Sequence, residues 1–161
     1  MKFVPESTID QMLERLEGGR DDFEDVVKDF SKQQPFLLGF LCSEAFELLT
    51  NEERDYMLYL SIVIWMSILQ LHPGAARLPE KLIGDTEENN WEVLKTVTAR
   101  RFRERIDIFF ENYPQEDLLA FVEDGLVYDP EREFITDEGR EYLFIALKTV
   151  IDSFDQYLKT R

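Results

Sequence analysis

YMLYLSIVIWMSILQL, residues Tyr56 to Leu71, decides the fold: thirteen of its sixteen residues are apolar, and only Ser61, Ser67 and Gln70 interrupt them. Drawn as a helix it has no polar side, so it belongs inside a bundle. Each fully buried large side chain contributes roughly 1.5 to 3 kcal/mol of transfer free energy, and other helices must surround the stretch to collect it. Its start is a capping box, Thr50-Asn51-Glu52-Glu53, in which the threonine caps and the glutamate at the third helical position reaches back. Its end is His72-Pro73-Gly74, because the residue before proline avoids helical geometry and glycine permits the turn. Sixteen residues fall short of the roughly 20 that a bilayer demands, and the preceding flank is acidic, so no membrane span is expected.

Working outward, Ser7 or Thr8 can cap a first helix with Ile9, Met12, Leu13 and Leu16 at helical spacing, stopped by Gly18-Gly19. Asp21-Asp22 opens a second helix with Phe23, Val26, Val27 and Phe30 on one face. The two read as an N-terminal αα-hairpin over residues 1–33, with eight acidic side chains from Asp10 to Asp29 on its solvated face. Pro35 starts a third helix, Phe36 to Leu49. Glu44 falls four residues after Phe40 and four before Leu48, which projects a carboxylate into an apolar stripe. Cys42 is expected as a small core side chain.

Past a long connection, Pro73 to Asp85, a long helix is predicted with Trp91, Leu94, Thr98, Phe102, Ile106 and Phe109 on one face. It contains the chain's most unusual charge feature: Lys95 to Arg105, KTVTARRFRER, carries five basic residues and one acidic, a net of +4 against −16 for the whole chain. Arg101 and Arg105 flank the stripe while Arg100 and Arg103 point away, so the arginines do not share the single face that a nucleic-acid stripe requires. Arg105 and Glu44 each intrude on the apolar stripe of their own helix and are predicted to form a buried ion pair. Residues 113–161 add a short helix ended by Gly125, a β-hairpin over Leu126 to Ile135 turning at Asp129-Pro130, and a C-terminal helix capped by Thr136. That last helix repeats apolar residues from Tyr142 to Leu158 and either closes the bundle or pairs with a second copy.

From Phe121 to Leu143, FVEDGLVYDPEREFITDEGREYL, the order of helix end, glycine, strand, turn, strand and Thr-Asp-Glu-Gly helix start resembles the wing region of winged-helix transcription regulators; it covers 23 of the 161 residues. The resemblance implies that Pro114 to Asp124 reads the major groove. That helix holds Glu116, Asp117, Glu123 and Asp124 and no basic residue, and DNA phosphates repel such a surface.

The whole is expected to be all-α: one domain of about six to seven helices around the buried central helix Tyr56 to Leu71, residues 34–112 forming the middle, with one short β-hairpin near the C-terminal end. A length of 161 residues with 44% hydrophobic and 13% aromatic residues suffices for such a core. The net charge of −16, from 34 acidic and 18 basic residues, argues against generic nucleic-acid or anionic-membrane binding. A single cysteine, Cys42, rules out an internal disulfide and a multi-thiolate zinc site. With no secretory signal at Met1 to Glu6, the expected compartment is the cytoplasm.

No catalytic residue, cofactor site or metal site is assigned. His72 is read as an imidazole at a helix end, and leucine at position 69 breaks the Glu-x-x-His spacing of di-iron bundles. The functional expectation is a non-enzymatic interaction or regulatory protein, with a protein partner or self-association. Its candidate surface comprises Arg100, Arg101, Arg103, Tyr128 and Arg132. The alternatives are a winged-helix-like regulator and an enzyme or metal-binding protein built on carboxylates.

Overall fold

Nine consecutive residues of one helix, Leu60 to Ile68, and nine of another, Leu143 to Ile151, are buried. The fold therefore has two central helices where the hydrophobicity of Tyr56 to Leu71 predicts one. In the computed structural model, which describes residues 1–161, the order is α1 (Glu6–Glu17), α2 (Phe23–Gln33), α3 (Pro35–Leu41), α4 (Asn51–Leu71), α5 (Glu80–Lys95), α6 (Phe102–Ile106), α7 (Glu116–Leu126) and α8 (Asp137–Lys159). Short 3₁₀ turns occupy Glu44–Phe46, Asp107–Phe110 and Pro130–Arg132. The chain is all-helical, and no helix is long and apolar enough to cross a membrane. Helix α8 packs against α4, α5 and α7; the main neighbours of α1 are α4 and α7, and those of α2 are α3 and α4.

The α4 and α8 termini meet at one buried carboxylate. The capping box forms: Thr50 Oγ1 accepts from the Glu53 amide at 3.1 Å, and Glu53 Oε1 accepts from the Thr50 amide at 3.0 Å. The other oxygen of Glu53 accepts from the Thr136 amide at 3.1 Å and from its hydroxyl at 3.0 Å. Thr136 is itself the cap of α8, accepting from the Gly139 amide at 2.9 Å. Glu53 has no solvent exposure, so a single side chain satisfies donors at the start of both central helices.

Four expectations fail at segment ends. The predicted helix from Phe36 to Leu49 stops at Leu41, and Ser43 turns to an extended backbone before the 3₁₀ turn. Cys42 is consequently exposed rather than in the core, and Leu48 is 72% exposed. The predicted long helix breaks after Lys95. Its β-branched run Thr96-Val97-Thr98 is poorly suited to helix, and Arg105 Nη1 takes the carbonyls of Val97 at 3.2 Å and Ala99 at 2.8 Å, which replaces helical bonding there. Both fragments still serve α8: Trp91 meets Tyr142, and Phe102 and Phe109 meet Phe144.

Gly125 lies inside α7 rather than ending it, against the Tyr56 hydroxyl, which donates to the Gly125 carbonyl at 2.8 Å. Finally, Leu126 to Ile135 forms no β-hairpin. Leu126 ends α7, and the carbonyls there are taken by arginines: Arg132 Nη2 to Asp124 at 2.8 Å and Arg140 Nε to Leu126 at 2.6 Å. Asp129 then accepts from the Glu131 amide at 2.9 Å and sets the 3₁₀ turn. Local backbone bonds, Val127 to Glu123 at 2.9 Å, Arg132 to Asp129 at 2.9 Å and Ile135 to Arg132 at 3.1 Å, join those side chains in meeting the segment's backbone needs without a partner strand. The wing on which the winged-helix resemblance rests is absent.

Candidate functional site

Ile83, Thr86, Asn90 and Leu94 recur three and four residues apart along α5 and are its buried face. Thr86 and Asn90 are polar, and Asn90 enters a network with α8. Asn90 Nδ2 donates to Thr149 Oγ1 at 3.2 Å and to Asp152 Oδ2 at 3.1 Å. Lys148 Nζ donates to Asn90 Oδ1 at 3.2 Å and Asp152 Oδ2 at 2.6 Å, while the Tyr113 hydroxyl donates to Asp152 Oδ1 at 2.6 Å. The Lys148 ammonium also stands over the rings of Phe109 and Tyr113, 5.1 and 4.7 Å from their centroids. Burial, and then the Asp152 carboxylate, push the Tyr113 phenol well above its ordinary pKa. Donors and acceptors match one to another, which makes this a structural cross-brace between α5 and α8.

Beside that buried face, the shoulder of α5 and the start of α8 enclose an open groove of about 580 Å³, lined by Glu87, Glu88, Trp91, Glu92, Leu94, Lys95, Arg105, Glu141 and Tyr142. Trp91 and Tyr142 form its aromatic wall, with ring centroids 5.1 Å apart and planes at 64°, an edge-to-face arrangement favoured by the ring quadrupoles. Arg105 closes one end, donating through Nε to Glu141 while holding the Val97 and Ala99 carbonyls. Glu87 is the anomalous member. Its Oε2 is shut off from water without a hydrogen-bond partner; burial raises the carboxyl pKa, opposed by the nearby Trp91 indole. Glu88, Glu92 and Lys95 are exposed on the rim.

The residues expected from the sequence are distributed differently. Glu44 is exposed on its 3₁₀ turn, and Arg105 pairs with Glu141 instead; the early end of α3 removes the apolar stripe that placed Glu44 inward. Arg100 and Arg101 are exposed. Arg103 lies 3.9 Å from Glu123, and Arg132 binds Asp129 at 3.4 Å and the Asp124 carbonyl, so these two arginines converge on the last turns of α7. Tyr128 is 72% exposed on the following segment. His72 is an acceptor, its Nε2 taking the Lys2 amide at 3.0 Å, and burial lowers its pKa. No three His, Cys, Asp or Glu side chains converge to hold a metal ion.

Sequence reasoning missed Glu87, Glu141 and the network around Lys148, and took Trp91 and Tyr142 as core alone. A close variant of the test applied to Glu44 points to Lys148 on α8, which lies four residues after Phe144 and three before Ile151 on one apolar face. Replacing Arg105 by leucine is expected to cost about 1–3 kcal/mol in denaturant unfolding, because the Val97 and Ala99 carbonyls lose their donor; an unchanged midpoint would show that water replaces the guanidinium freely.

No family model matches the chain, and neither the curated proteins nor the solved structures contain a significant match to it.

Proposed function

We propose that this protein is a helical interaction module that acts by protein–protein contact, with the α5–α8 groove as its principal contact surface. The observation that carries this reading is the groove itself: an aromatic pair, half-buried, set in an open concavity and ringed by charged side chains. Interfaces favour aromatic anchors in pockets with polar rims. The acidic exterior adds electrostatic selection among partners. Helix α8 already packs against α4, α5 and α7, so the reading favours a partner at the groove over a copy paired along the C-terminal helix.

The test is site-specific photo-crosslinking in the cells that make the protein. A photoreactive residue in place of Glu88, on the groove rim, is expected to yield a discrete protein adduct, and one in place of exposed Asp29 on α2 is not. No adduct from the rim, or the same adducts from both positions, overturns the reading.

A further inference from the structure

On the reading of the α5–α8 groove as a contact surface, we infer that its occupant is an arginine side chain presented by a basic segment of a partner protein. Three features of the groove select that chemistry. First, its charges are unbalanced. Arg105 and Glu141 satisfy each other, and of the remainder Glu87, Glu88 and Glu92 stand against Lys95 alone, none of them in an ion pair within the chain. Second, the inner carboxylate is partly desolvated: one oxygen, Glu87 Oε2, is shut off from water and has no hydrogen-bond partner, while the Trp91 indole stands near the group. A buried acceptor left in that state costs free energy, and an incoming N–H donor recovers it. Third, the wall is aromatic. Trp91 and Tyr142 supply the π surface on which a guanidinium stacks, and tryptophan is the strongest such partner.

Arginine meets all three requirements in one side chain. Its planar fork bonds a carboxylate through two parallel N–H groups, stacks on aromatic rings, and is less strongly hydrated than an ammonium, so it enters a half-buried site at lower cost. The whole-chain charge of −16 draws a basic segment toward the surface from a distance, and the groove then selects among the segments that arrive.

The experiment follows the fluorescence anisotropy of a labelled, end-blocked peptide of alternating glycine and arginine, titrated with full-length protein at near-physiological salt. The native chain is expected to bind saturably, and a peptide with glutamine in place of arginine not at all. Glu87→Gln is expected to weaken binding about tenfold, the scale of one lost charge-assisted bond. Trp91→Leu is expected to weaken it several-fold. A charge-matched control, Glu24→Gln on α2, changes affinity less than twofold if the groove is the site. The proposal is overturned by absence of binding, by equal weakening in the α2 control, or by full affinity in both groove variants. Circular dichroism confirms that each variant is folded, and Glu87→Gln removes a partly desolvated charge and so is not expected to destabilise. A rim-specific crosslink together with a peptide that fails to bind would retain the contact surface and reject the arginine.

Discussion

Gly139→Ala is expected to cost this protein about 2–3 kcal/mol, the upper scale for depriving a buried acceptor of its hydrogen-bond donors. A methyl carbon at position 139 would stand 1.8 Å from Glu53 Oε2 and 2.8 Å from Thr136 Oγ1. The carboxylate has to move, and in moving it abandons the Thr136 amide and hydroxyl and strains its bond to the Thr50 amide. Both central helices lose part of their capping at once. The glycine is required for closeness of approach rather than for backbone freedom, since its φ is not positive. Denaturant unfolding of Gly139→Ala, Glu53→Ala and the double variant checks the mechanism. The double variant is expected to be less destabilised than the sum of the singles, because once the carboxylate is gone the added methyl has room. Strict additivity would show that the two residues do not act on one another.

Ile64→Asp is expected to abolish the cooperative melt. Ile64 has no solvent exposure and sits in the middle of the buried run of α4. An unpaired carboxylate there is either ionised at prohibitive solvation cost or held protonated as an unsatisfied polar group, against a net stability of typically about 5–15 kcal/mol. Gln70→Asp is the control: it lies on the same helix at an exposed position and is expected to melt within a few degrees of the native protein. A normal melt for Ile64→Asp would mean that α4 is not part of the centre.

These two residues differ in how they are found. Ile64 is legible from the chain, because a stretch with no polar side has only one environment open to it. Gly139 looks like an ordinary helix-start glycine until Glu53 is placed against it. The same division holds for the ends of helices. The starts of α4 and α8 follow from Thr50, Glu53 and Thr136 acting on neighbours within three residues. The break in the predicted long helix depends on Arg105 folding back over Val97 and Ala99, and the missing hairpin depends on Arg132 and Arg140 reaching the end of α7. The groove was invisible for a related reason: Trp91 and Tyr142 have core spacing on their own helices, and only their meeting at a partly open seam gives them a surface role.

The sequence by itself determined that this protein is a helical bundle, that Tyr56 to Leu71 lies in its interior, and where the two longest helices begin. Each of those follows from periodicity or from a cap acting over a few residues. Only the tertiary structure decided that no strand accompanies the helices and that α8 shares the centre. A helix carrying Lys148, Thr149, Asp152 and Asp155 reads as having a polar outer face, yet Asn90, Tyr113 and Gln115 arrive from distant segments to satisfy those groups. Burial of polar side chains depends on partners far away in the chain, and local spacing carries no record of them.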